Sequence, residues 1–133
     1  MRTRIKRLLL VIKTTRNWQS VLLVWFGLIK QCTANFRNGH ALLLDRKSWV
    51  NYLECVYLFH HFPRASLAGT KVEFTYKSRK LIFNVGKYGL GTILEIFCGD
   101  PYRDFLRSTN IKGKLVLDIG AAFGDTAISF LLE

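Results

Sequence analysis

The sequence predicts an α/β chain. An N-terminal α+β region of helices and β-hairpins spans residues 1–110, and residues 111–133 form the first strand and helix of an α/β sandwich. Three observations predict it. Apolar residues recur at helical spacing from Trp49 to about His61. Lys71–Val85 alternates apolar and polar residues on two arms around a polar turn. Leu115–Ile119 is a short apolar run rich in β-branched residues, suited to a buried parallel strand. It runs into the turn Gly120–Gly124, after which Asp125–Leu132 resumes helical spacing.

Taken in order, residues 3–30 predict one or two amphipathic helices that pack on the domain or lie on a surface. The longest apolar run, Val21–Ile29, is far shorter than the roughly 20 residues a membrane-crossing helix needs. Basic residues, this run and then Cys32-Thr33-Ala34 follow the order of a signal peptide. The basic part is too long for one, however, and Leu8–Ile12 interrupts it, so a cytoplasmic chain is expected. Asn38-Gly39 predicts a hairpin with a type I′ turn, whose two central residues need positive φ. Asp45 or Ser48 can cap the helix Trp49–His61, whose inward face is expected to hold Val50, Leu53, Val56, Tyr57 and His60 or His61. Pro63 lies just past its end. In the second hairpin, Val72, Phe74 and Tyr76 face inward on one strand and Leu81, Phe83 and Val85 on the other, with Lys77–Arg79 as the turn. Gly86, Gly89 and Gly91 then break regular structure. Thr92 opens a short helix to Phe97 with Glu95 three positions on, the capping-box arrangement. Asp100-Pro101 restarts the chain, Tyr102–Leu106 is expected to be helical, and Lys112-Gly113 turns into the final strand.

At 133 residues, half of them apolar and with only two prolines, the chain can bury one ordinary core and is not a disordered sequence. The net charge of +11 is unevenly placed. Residues 1–44 hold Arg2, Arg4, Lys6, Arg7, Lys13, Arg16, Lys30 and Arg37 and no acidic residue. Lys71, Lys77, Arg79, Lys80 and Lys87 form a second basic group. Such asymmetry suits RNA or an acidic lipid surface, but charge runs alone are weakly specific, and a solvated surface balanced by an acidic C-terminal half is the favoured reading. Cys32, Cys55 and Cys98 have no close spacing, which points to reduced thiols, with neither a disulfide framework nor a zinc knuckle. Five- and six-residue spacing sets Cys55 apart from His60 and His61, so no metal site is expected. Phe74, Tyr76, Phe83 and Tyr88 beside Lys77, Arg79 and Lys80 fit a hairpin core better than a platform for single-stranded RNA.

The pattern that carries chemistry is Asp118-x-Gly120-x-x-x-Gly124 between a strand end and a helix start. Gly120 lets the backbone bend sharply and lets a ligand approach closely. Ala121 and Ala122 keep that wall low, and Gly124 lets the helix pack on the strand. Free amides of the helix's first turn, near Asp125–Ala127, favour a ligand carboxylate or phosphate. The carboxylate of Asp118 suits a ligand cation such as an ammonium group and suits pyrophosphate poorly. The third position of the dinucleotide pattern, its second glycine, would fall on Ala122, and no P-loop lysine is present. A cofactor with an amino-acid tail, such as S-adenosylmethionine, fits best.

The run VLDIGAAFGDTA resembles motif I of class I S-adenosylmethionine-dependent methyltransferases, specifically the FkbM-type family, at Asp118, Ile119, Gly120, Ala121, Gly124, Asp125 and Thr126. Thr92–Ile96 and Tyr102 also look like the region preceding motif I in that family. The resemblance implies a Rossmann-like methyltransferase sandwich and methyl transfer to oxygen on a small molecule, sugar or lipid. It implies that Gly120, Ala121, Ala122, Phe123 and Gly124 wrap the methionine part of the cofactor, that Asp118 holds its amino group, and that Asp125 and Thr126 sit beside it. The family's ribose-binding acid would lie past Glu133, about 20 residues beyond the glycine turn. The chain is therefore expected to be a truncated portion that binds cofactor weakly or not at all and lacks turnover. A basic nucleic-acid-binding or membrane-surface module without catalysis is the alternative.

Overall fold

The computed structural model describes residues 2–85 and 90–99 together with Ser108, Lys112, Ile128 and Leu132. Helices α1 (Arg2–Thr14) and α2 (Trp18–Trp25) precede a hairpin of β1 (Gln31–Asn35) and β2 (Ala41–Asp45). Helix α3 (Trp49–His61) follows, then β3 (Ser66–Ala68), β4 (Lys71–Tyr76) and β5 (Arg79–Asn84). Helix α4 (Gly91–Leu94) runs into a single π turn, Glu95–Gly99. The strands form two antiparallel sheets, β1-β2 and β3-β4-β5. Mixed helix and strand content is thus observed, with two helices where residues 3–30 predicted one or two. Among the described residues no helix is long and apolar enough to cross a membrane.

Helix α1 buries Val11 and packs on α3. It ends at two threonines without glycine or proline. Thr14 Oγ1 donates to the Leu10 carbonyl at 2.7 Å, while Thr15 leaves the helix and bridges Phe36 as a short strand would. Residues 14–17 thereby clasp the outer edge of β1. The Arg16 amide donates to Asn35 O, the Arg37 amide to Thr14 O, and the Asn17 side chain both donates to Thr33 O at 2.8 Å and accepts from the Asn35 amide at 2.9 Å. One amide side chain therefore satisfies strand groups that would otherwise form an open, aggregation-prone edge. Behind this clasp, the hydroxyls of Thr15 and Tyr52 share a buried hydrogen bond of 2.7 Å that ties α1 to α3. Burial pushes the Tyr52 phenol up to about 12, so it stays neutral.

The first hairpin forms where Asn38-Gly39 predicts one, but its turn is not type I′. Only Gly39 has positive φ (93°); its amide donates to Phe36 O, and Phe36 N donates to His40 O. That is a three-residue loop with the left-handed residue last. The register explains the choice. Observed pairing sets Ala34 opposite Leu42 and Cys32 opposite Leu44, with Ala34 and Leu44 both fully buried. A two-residue turn at Asn38-Gly39 would shift the pairing by one and set Ala34 opposite Leu43, turning Leu44 out of the core. Core burial overrides the local turn preference.

The double positive φ appears instead in the second hairpin, where Tyr76 pairs with Arg79 and leaves Lys77 (46°) and Ser78 (64°) as the two central residues. Neither is a residue that favours this region, which costs about 1 kcal/mol or more each. The double change Lys77→Asn/Ser78→Gly is expected to raise unfolding free energy by about 1–2 kcal/mol in urea titration. An unchanged or lower value would contradict the turn assignment. The strands themselves alternate as predicted, with Val72, Phe74, Phe83 and Val85 buried. Phe74 stacks on Phe62 at 4.4 Å and on Phe83 at 5.9 Å, and meets Phe97 edge-on at 5.3 Å. Strand β3 was not foreseen; it pairs Ser66–Ala68 with Lys71–Glu73 across a short turn.

Helix α3 has the predicted limits; of its expected inward residues Val56 is buried and Leu53 and Tyr57 are half-buried, while the rest of its buried face differs. Tyr52, Cys55, Val56, Leu58 and Phe59 are buried, whereas Val50 is 65 % exposed and His60 and His61 are exposed. Ser48 stands at the N-cap position without bonding a helix amide. Its hydroxyl donates instead to Asp45 Oδ1, which also accepts the Lys47 and Ser48 amides. These bonds, the Ser48 amide foremost, hold the Asp45 carboxyl below its usual range. Helix α4 begins at Gly91, one residue before Thr92, and the capping box does not form.

Candidate functional site

Every residue of the predicted cofactor turn lies outside the described residues: Asp118, Gly120, Ala121, Ala122, Phe123, Gly124, Asp125 and Thr126. The same holds for the predicted strand Leu115–Ile119 and the helix Tyr102–Leu106. Two neighbours are described. Ile128 is helical and the Leu132 amide donates to its carbonyl at 3.2 Å, a bond of one helical turn. Both side chains are half-buried against the hydrophobic core formed by the N-terminal elements. Lys112 sits in a turn, as the sequence predicts.

A cleft of 640 Å³ lies between α1, α3 and α4. Its volume falls within the range typical of small-molecule sites. Val50, Leu53 and Leu94 supply apolar wall, and Arg7, Tyr57, His61 and Glu95 supply polar groups. This face of α3 is the one the sequence reading assigned to the core. Glu54 organises the cleft's inner end. Its Oε2 accepts the Leu90 amide at 3.3 Å, and its Oε1 lies 3.2 Å from where a side chain at Gly91 would begin. A carboxylate thereby meets an amide at the start of α4, and a side chain at Gly91 would press on it.

Burial pushes the Cys98 thiol up to about 11, so it is neither a ready nucleophile nor a ready metal ligand near neutral pH. Burial likewise lifts the Cys55 thiol to about 11, and that side chain lies in the core. His60 is held below its usual range by desolvation, by His61 and by Lys13. The described residues contain no group of three or more His, Cys, Asp and Glu side chains arranged to hold a metal.

Phe74, Tyr76 and Phe83 pack as the hairpin-core reading expects. Phe74 and Phe83 are 2 % and 5 % exposed, and Tyr76 packs edge-on against Phe97 at 5.1 Å. Tyr88 lies outside the described residues. A smaller cleft of 310 Å³ gathers Lys13, Arg37 and His60 beside Phe59 and Pro63. Sequence spacing could not have found either cleft, because each draws its walls from segments far apart in the chain. No family model, characterised protein or solved structure matches this chain.

Proposed function

We propose that this chain is part of a cytoplasmic S-adenosylmethionine-dependent methyltransferase of FkbM-like type, acting on an oxygen of a small molecule, sugar or lipid. The single observation that carries the proposal is the spacing Asp118-x-Gly120-x-x-x-Gly124 with Asp125 and Thr126 directly after it. The donor set fits the cofactor's tail. Asp118 offers a carboxylate to an ammonium, and the peptide amides after Gly124 offer hydrogen bonds to a carboxylate. Gly120, Ala121 and Ala122 leave room for close backbone approach, with Phe123 as apolar cover. The helical bond between Leu132 and Ile128 is consistent with a helix in that position.

The cofactor itself supplies an electrophilic methyl on a sulfonium, so the protein's work is to bind, orient and exclude water. Within residues 1–133 the proposed cofactor contacts are confined to Asp118–Thr126. Affinity of this polypeptide is accordingly expected to be weak and turnover absent. Saturation-transfer NMR tests the proposal. Protein-to-ligand transfer is expected for S-adenosylmethionine and S-adenosylhomocysteine, both of which carry the amino-acid tail, and not for NAD. Equal transfer to all three would overturn it.

A further inference from the structure

We infer that the turn ending α2 is a membrane-docking tip that inserts Phe26 and Leu28 among anionic lipid headgroups. Phe26 and Leu28 are each 71 % exposed, and Leu23, one turn back, is 40 % exposed. These are large apolar side chains on a rigid mount. Gly27 has φ +74°, its amide donates to Val24 O at 3.0 Å, and the Leu28 amide donates to Leu23 O at 2.8 Å. That pair of bonds is the Schellman closure of a helix, which normally tucks its last apolar residue against the helix. Here the residue following the glycine stays in solvent. Phe26 is held from one side by Trp25, whose ring stacks on it at 6.4 Å, and Trp25 is in turn anchored on Trp49 at 5.0 Å.

Cations frame the tip. The Arg46 guanidinium lies across Gly27, close enough that a side chain at that glycine would collide with it. Lys30 and Lys47 are exposed close by in the chain. Asp45, the carboxylate next to Arg46, already accepts three hydrogen bonds from Lys47 and Ser48. Apolar residues at a tip with lysine and arginine behind them match the headgroup boundary of an acidic bilayer. Other occupants fit less well. Three side chains fall far short of the roughly 800 Å² per partner that a stable protein interface buries. The tip presents one strongly exposed ring, that of Phe26, and not the succession of rings on which nucleic-acid bases stack. The inference is independent of the cofactor proposal, since none of its residues belongs to Asp118–Thr126.

Flotation with vesicles of phosphatidylcholine, alone or mixed with phosphatidylserine, tests it on the whole chain. The chain is expected to float with the mixed vesicles and to be released progressively by salt. Phe26→Ser/Leu28→Ser is expected to weaken partitioning by about thirtyfold or more, with unchanged thermal unfolding because both side chains are already in solvent. Arg46→Gln/Lys47→Gln is expected to reduce the preference for phosphatidylserine about tenfold or more, at about 1 kcal/mol for each cation, and an unchanged preference would overturn the role given to these cations. Brominated lipids are expected to quench tryptophan fluorescence of the unaltered chain, and the quenched component is expected to disappear in Trp25→Phe. Failure of the wild-type chain to float would overturn the inference. So would undiminished flotation of the double serine variant, the result expected of charge alone, or sedimentation showing a dimer that only the serine variant dissociates.

Discussion

Phe74→Ala is expected to lower unfolding free energy by about 3–5 kcal/mol, the cost of emptying an aromatic site in a core. The site explains the size. Phe74 is 2 % exposed and touches three further rings, those of Phe62, Phe83 and Phe97, which come from three different parts of the chain. Removing it leaves Phe62, just after α3, and Phe97, in the π turn, without their shared partner, so α3, the three-stranded sheet and α4 loosen together. Domains of this size hold about 5–15 kcal/mol in total, and the variant is expected to be near the limit of folding at 37 °C. Phe74→Leu keeps most of the volume and loses the ring contacts, for an expected cost of about 1–2 kcal/mol. Urea titration followed by tryptophan fluorescence measures both. A loss below about 1 kcal/mol for the alanine variant would mean that this cluster does not hold the sheet to the helices.

Asp118→Ala is expected to weaken S-adenosylmethionine binding by about ten- to a hundredfold. A hydrogen bond to a charged group contributes about 1.5–3 kcal/mol, and 1.4 kcal/mol is a factor of ten in affinity. Asp118→Asn, which can still accept a hydrogen bond but carries no charge, is expected to fall between wild type and alanine. Gly120→Val is expected to remove binding altogether, because a branched side chain would occupy the space the ligand needs beside the backbone. If the chain is instead a basic module whose last strand and helix are purely structural, all three variants should leave its ligand binding untouched. The NMR titration proposed for the cofactor separates these outcomes.

Local chemistry was legible where backbone and side chain of the same few residues decide it. The helix limits Trp49–His61 and the in-out alternation of Val72, Phe74, Phe83 and Val85 follow from short-range spacing, and the structure has both. The face of α3 was misread for a physical reason. Apolar side chains lie all around it, because one side meets the core through Tyr52, Cys55 and Phe59 while Val50, Leu53 and Tyr57 line a cleft. Periodicity cannot rank two apolar faces. The turn at Asn38-Gly39 was misread because its local preference lost to the burial of Leu44, and the Lys77-Ser78 turn was hidden because neither residue advertises positive φ. Val21–Ile29 reads as one apolar run, yet it comprises a helix that buries Val21 and Val24 and a turn at Gly27 that exposes Phe26 and Leu28. Long-range arrangements such as the Asn17 clasp on β1 and Glu54 on the Leu90 amide leave no mark in any short window. The cofactor turn is the opposite case: its proposal comes wholly from a local pattern of carboxylate and small residues.

Ultraviolet crosslinking of methyl-tritiated S-adenosylmethionine to the chain, followed by trypsin and peptide mapping, tests that turn most directly. Cleavage after Lys114 releases a peptide that begins at Leu115 and contains no lysine or arginine through Glu133, so Asp118–Thr126 travel together on it. The account predicts label concentrated on that peptide and competed away by unlabelled S-adenosylhomocysteine. Label spread over the basic peptides of residues 1–44, indifferent to the competitor, would contradict it.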